Sequence, residues 1–131
     1  MDTAVFLRRQ MQSLHGLFDK VISDLSDDQL HHQAGPGVQP IAFSLWHYVR
    51  TEDNVVQFVI QRKPTVWMRD GWDAKFGLDA KSQGTGFTDA EARALRIKDM
   101  AEFRQYMADV FRATEAYIAG LSDDECGRKI T

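Results

Sequence analysis

Phe43-Ser44-Leu45-Trp46-His47-Tyr48-Val49-Arg50-Thr51-Glu52-Asp53 is the stretch whose reading decides the fold. It is the middle of a longer segment, Ile41 to Arg62, that keeps the helical period of about 100° per residue. Ile41, Leu45, Val49, Val56, Val59 and Ile60 fall on one side, widened by Trp46, Tyr48 and Val55. Phe43, His47, Asn54 and Phe58 fall roughly opposite, with Thr51 beside them. A helix with large apolar groups on two faces is one surrounded by other helices. Pro40 suits the first helical position, where its missing N–H is no loss. Arg62, Lys63 and Pro64 supply cations at the negative pole of the helix and then a breaker.

Two residues do not belong on so apolar a helix. His47 reads either as a core histidine with one ring nitrogen hydrogen-bonded, or as a metal ligand through a neutral imidazole. One histidine alone does not make a site, since a metal takes three or four ligands. Glu52 falls near the centre of the main apolar face, between Val49 and Val56. A carboxylate there must find a donor or shift its pKa upward. A salt bridge to an arginine on a neighbouring helix is one reading, and a site carboxylate is the other.

The elements on either side extend the pattern. In Thr3 to Leu25, Leu7, Met11, Leu14, Phe18, Val21 and Leu25 recur at alternating spacings of four and three. Such a stripe predicts a long helix, with His15 on its rim. Ser26 and Gln29 then have capping-box spacing and open a short turn. His31 and His32 are adjacent, so they point apart and read as solvated. Lys63 to Phe87 forms a long connection carrying Trp67, Trp72 and Phe76. A connection of that length is either a lid over a pocket or a segment folded back with its aromatics in the core. Thr88 and Glu91 make a further capping box. From Ile97 to Leu121 a third stripe runs Met100, Phe103, Met107, Val110, Thr114, Tyr117, Leu121. Leu14, Phe18, Leu45, Val49, Val56, Phe103, Met107 and Val110 are the expected core.

Leu121-Ser122-Asp123-Asp124-Glu125 restates Leu25-Ser26-Asp27-Asp28-Gln29 after a second long amphipathic helix. Two such units suggest an internally duplicated bundle. The second breaks off at Lys129-Ile130-Thr131, so the counterpart of the His47 helix is expected beyond the end of this sequence.

Composition bounds the rest. The 131 residues suffice for one domain, residues 1–131, with 63–87 as its long crossover. A formal net charge of −3 gives no footprint for nucleic acid. No apolar run approaches the ~20 residues that span a bilayer. Asp2 and Arg8-Arg9 interrupt any signal-peptide pattern. The lone Cys126 excludes an intramolecular disulfide, fits a reducing cytoplasm and reads as incidental.

The order of elements resembles the DinB/YfiT-like superfamily of four-helix bundles. The resemblance is carried by the two L-S-D-D turns, by Pro40-Ile41-Ala42-Phe43-Ser44-Leu45-Trp46-His47 with the acidic pair Glu52-Asp53, and by Gly71-Trp72-Asp73-Ala74-Lys75-Phe76-Gly77 in the crossover. It implies an all-α four-helix bundle with a long crossover between helices two and three, and often a homodimer. It also implies a divalent metal, nickel or zinc, held by three histidines. One matches His47; the other two belong to an H-x-x-x-H motif on the last helix, and no histidine comes after His47 here. The fourth helix is thus largely absent, and the metal site is expected to be incomplete in this chain alone. Members with a full site include thiol-dependent S-transferases and isomerases that act with small thiols. The alternative is a non-catalytic helical module for dimerisation, or for binding a small molecule or partner. Three amphipathic helices leave one groove of a four-helix bundle open, and a second copy of the chain is the expected cover.

Overall fold

The computed structural model describes residues 2–128, and among them every regular element is helical. Helix α1 spans Thr3–Ile22, and the Asp2 carboxylate starts it by accepting the Val5 N–H at 2.8 Å. Helix α2, Asp27–Leu30, is one turn closed by the Ser26–Gln29 capping box. Helix α3 spans Ile41–Asp53 and runs on as a π-helical segment, Asn54–Ile60. Pro40 is extended and stands just before the first helical residue rather than in it. The crossover carries two short helices, α4 at Val66–Arg69 and α5 at Trp72–Phe76. Helix α6, Asp89–Ala94, opens on the Thr88–Glu91 capping box. Helix α7, Met100–Ala119, starts where the Asp99 side chain accepts the Glu102 N–H, three residues later than the stripe predicts. The second L-S-D-D turn forms α8, Asp123–Cys126, with its own capping box, so the two copies do fold alike.

Helix α7 is the hub. It packs along α1 on one side and along α3 on the other. Helices α1 and α3 are diagonal to each other and meet mainly through long side chains, His15 on Glu52 and the Phe18 ring on Tyr48 at 4.6 Å. Among the described residues the arrangement is a four-cornered bundle with three corners occupied and a groove between α1 and α3. Leu14, Leu17, Phe18, Val21, Ile41 and Leu45 line a cavity of about 400 Å³ in it.

Five of the eight expected core residues are buried: Leu45, Val49, Phe103, Met107 and Val110. Leu14 and Phe18 are half-buried because they face the groove. Val56 is half-buried for another reason. A π turn closes i→i+5 and shifts the register of the residues after it. Gln57 takes the buried position, while Val55 and Phe58 turn outward. The packed face of α1 is displaced from the expected stripe: none of Leu7, Met11, Leu14, Phe18, Val21 and Leu25 is fully buried, whereas Ala4, His15 and Ile22 beside it are, and Phe6, Leu17 and Val21 are more than half exposed.

The crossover folds back rather than hovering as a lid. Trp67, Trp72 and Phe76 are buried, with Trp67 stacked on Phe76 at 5.8 Å and edge-on to Tyr106 at 5.0 Å. Burying each such ring contributes roughly 1.5–3 kcal/mol. Asp53 anchors the start of this segment: its carboxylate accepts the Val66 and Trp67 N–H groups at 2.9 and 3.0 Å and the Tyr106 hydroxyl at 2.8 Å. Burial pushes the Asp53 carboxyl up, against the pull of those donors and of Arg50.

Candidate functional site

His47 lies half-buried on α3, on a face it shares with Ser44, Thr51, Val55 and Phe58 at helical spacing. Ser44, Val55 and Phe58 on that face are exposed. The His47 Nδ1 pairs with the Gln83 carbonyl of the loop that ends the crossover. Since a carbonyl only accepts, Nδ1 carries the proton, and in the neutral ring Nε2 keeps its lone pair. The ring stacks over Phe43 with 5.6 Å between centroids, and Thr51 Oγ1 donates to the His47 carbonyl at 2.7 Å. The loop can come this close because residue 84 is glycine. A Cβ there would stand 2.9 Å from Trp46 Cζ3 and 3.0 Å from Phe43 Cε2, and Gly84 also holds φ at +90°. Sequence and packing therefore fix His47 as a metal ligand is usually fixed, by a backbone acceptor on its second nitrogen. Among the described residues, however, no group of three or more His, Cys, Asp or Glu side chains is placed to hold a metal ion. One oriented imidazole is present without companions, so the described residues of a single chain do not by themselves make a metal centre.

The densest polar cluster lies elsewhere, where α1, α3 and α7 meet. Glu52 is buried and fully partnered. Its Oε1 faces His15 Nε2 at 3.0 Å and accepts the Tyr48 hydroxyl at 2.8 Å, and its Oε2 accepts the Thr114 hydroxyl at 2.7 Å. The donor it was expected to find on an arginine is a histidine. His15 is 5% exposed, not a rim residue, and its other nitrogen faces Glu115 Oε2 at 2.8 Å. Carboxylates on both sides favour a proton on each ring nitrogen, the imidazolium form of His15. Burial alone lowers its pKa, but the hydrogen bonds and charges of Glu52 and Glu115 outweigh that and raise it. Phe111 stacks flat against the ring at 3.7 Å, as a cation prefers. Burial, then the charge of Glu52, pushes the Tyr48 phenol well up, so it remains a donor.

The comparisons agree with this helical layout. The DinB superfamily model matches residues 10–131. The chain belongs to the DinB superfamily. A crystal structure titled as a conserved protein of locus from Enterococcus faecalis has the same fold, with a TM-score of 0.81 at 17% identity over 95% of this chain and 74% of that one. No curated protein matches the chain.

Within this DinB chain the remaining histidines are structural or exposed. His31 is not solvated: its Nδ1 donates to the Asp27 carbonyl at 2.9 Å, and its Nε2 accepts the Ile97 N–H at 3.0 Å, tying α2 to the approach of α7. His32 is exposed, and Cys126 is a half-buried free thiol. The sequence reading missed His15, Thr114 and Glu115 as a set. A usable signal was there: each of the three long helices carries a polar residue on or beside its apolar stripe, His15, Glu52 and Thr114.

Proposed function

We propose that this chain is an assembling helical module of the DinB type, a homodimer closed through the α1–α3 face. His47, about one helical turn from the groove residue Ser44, acts as one metal ligand whose companions come with the docked surface. The observation that carries the reading is the open face itself. Leu17 and Val21 of α1 and Ile41 of α3 are exposed and line a groove with apolar walls. Twenty helical residues at ~1.5 Å each, across two helices of ~10 Å width, give a face of about 600 Å². Two such faces together bury about 1,200 Å², the lower end of what holds a specific dimer. A twofold pairing uses the same patch on both copies and needs no other partner.

The kinship with metal-dependent thiol S-transferases and isomerases belongs to this proposal through His47. Its Nδ1 bond to Gln83 leaves Nε2 directed as a ligand for nickel or zinc, with a small thiol as the substrate class. A non-catalytic role is the second reading, and the His15 cluster favours it. Glu52 and His15 are spent on each other, Tyr48, Thr114 and Glu115, so neither is left as a base.

Calorimetric titration of the purified chain with Ni²⁺ or Zn²⁺, run on wild type and His47→Ala, separates the two. Uptake of one ion per dimer that His47→Ala abolishes supports the metal reading. No uptake by an intact dimer supports the non-catalytic one. A stoichiometric metal retained by His47→Ala contradicts the role given to His47.

A further inference from the structure

A second cavity, of about 660 Å³, opens on the flank of α3 that faces the crossover. It lies between the π-helical segment, residues 62–65 and the loop at 80–81. Among the described residues its walls carry four cationic side chains, Arg50, Arg62, Lys63 and Lys81, and no carboxylate. That is the reverse of a chain whose net charge is −3. Phe58 and Met68, both about half exposed, add apolar walls. The volume is that of a small-molecule pocket, and walls of one sign focus the field inside it.

Two further observations point the same way. Arg50 is buried, with Nε donating to the Ser82 carbonyl at 3.2 Å and Nη2 shared between the Ala80 and Lys81 carbonyls at 3.4 Å each. Its Nη1 has no hydrogen-bond acceptor; the facing Asp53 Oδ2 stands 3.8 Å away and is engaged with the Trp67 amide and Tyr106. The guanidinium is ion-paired with Asp53 and lies over the Trp67 ring at 5.2 Å, yet its buried Nη1 is left without an acceptor at the cavity floor. The backbone is unusual at the same place. A seven-residue π-helix, rare and frequently found at functional sites, lines one wall and leads into Arg62, whose φ of 57° is a conformation that side-chain-bearing residues seldom take.

We propose that this cavity binds a small organic anion, a carboxylate or phosphate monoester on an aromatic or branched apolar body. Arg62, Lys63 and Lys81 meet the anionic group at the mouth, Arg50 reinforces them from below, and Phe58 and Met68 receive the body. The site uses neither His47 nor the α1–α3 groove, so it stands or falls apart from the metal reading.

The test is an NMR titration of the ¹⁵N-labelled chain with phenyl phosphate, with benzoate and with the neutral benzyl alcohol. Saturable shifts are expected at the amides of Asn54, Lys63, Thr65 and Lys81 with at least one anion and not with the alcohol; the tighter anion assigns the headgroup. The double variant Lys63→Glu/Lys81→Glu, at two exposed positions, should weaken binding at least ~tenfold, about 1.4 kcal/mol. Lys63→Arg/Lys81→Arg should keep it. Shifts absent from these amides, equal binding of the alcohol, or affinity unchanged by the charge reversal while the helical signal is intact would overturn the site.

Discussion

His15 keeps a proton on each ring nitrogen because Glu52 and Glu115 face it from opposite sides. Its folded pKa lies above the ordinary 6.5. The stabilisation it provides is therefore fully present below pH 6.5 and is lost as pH rises through the folded value. Denaturant unfolding measured from acid to alkaline pH should show wild type losing stability over that window and His15→Phe lacking this loss. The ¹⁵N shifts of His15 at neutral pH should be those of an imidazolium; a neutral tautomer would contradict the assignment. Glu52→Ala leaves the buried cation facing only Glu115, and should cost ~3–5 kcal/mol by urea unfolding, more than a surface carboxylate does. His47 was legible because it interrupts a face that is apolar on both sides. The pairing of Glu52 was not, because a periodicity reading takes one helix at a time and the partners of a buried polar group sit on the neighbours.

At the level of elements, the 3–4 spacing of apolar residues located α1, α3 and α7 to within a few residues, and the capping boxes marked α2, α6 and α8. The π segment escaped, since an extra residue per turn is set by the surroundings of Asn54–Ile60 and leaves no periodic mark in advance. The choice between lid and plug for the crossover was also open in the sequence. It is decided by long-range partners: Asp53 on the Val66 and Trp67 amides, the Asp79 carbonyl accepting the Trp67 indole N–H, and Tyr106 against the Trp67 ring. Trp67→Ala should cost ~3–5 kcal/mol in thermal or urea unfolding, as removal of a core aromatic does. Gly84→Ala carries both a strained φ and contact with Phe43 and Trp46. A loss of about 2 kcal/mol or more is expected. A change in the His47 ring resonances should accompany it, because the loop that carries the Gln83 carbonyl must move. A Gly84→Ala chain with unaltered stability would show that the loop is not pressed onto α3.

For the whole molecule, the decisive feature is that α7 serves two helices while α1 and α3 leave a groove between them. That much is legible in advance, because three stripes are present where a bundle has four corners. Which side of α1 lies open is not: Leu7 and Val21 belong to the regular stripe yet are exposed, while His15, read as a rim residue, is buried once α7 is in place. The measurement that bears most directly on the open face is light scattering of the purified 131-residue chain beside Leu17→Glu/Val21→Glu, whose two sites are exposed and so leave the single-chain fold intact. The expected result is twice the chain mass for wild type and the single-chain mass for the variant, with equal helical content. A wild-type chain that stays at the single-chain mass at high concentration, well folded and binding no apolar dye, would contradict the claim that this face is built to be covered.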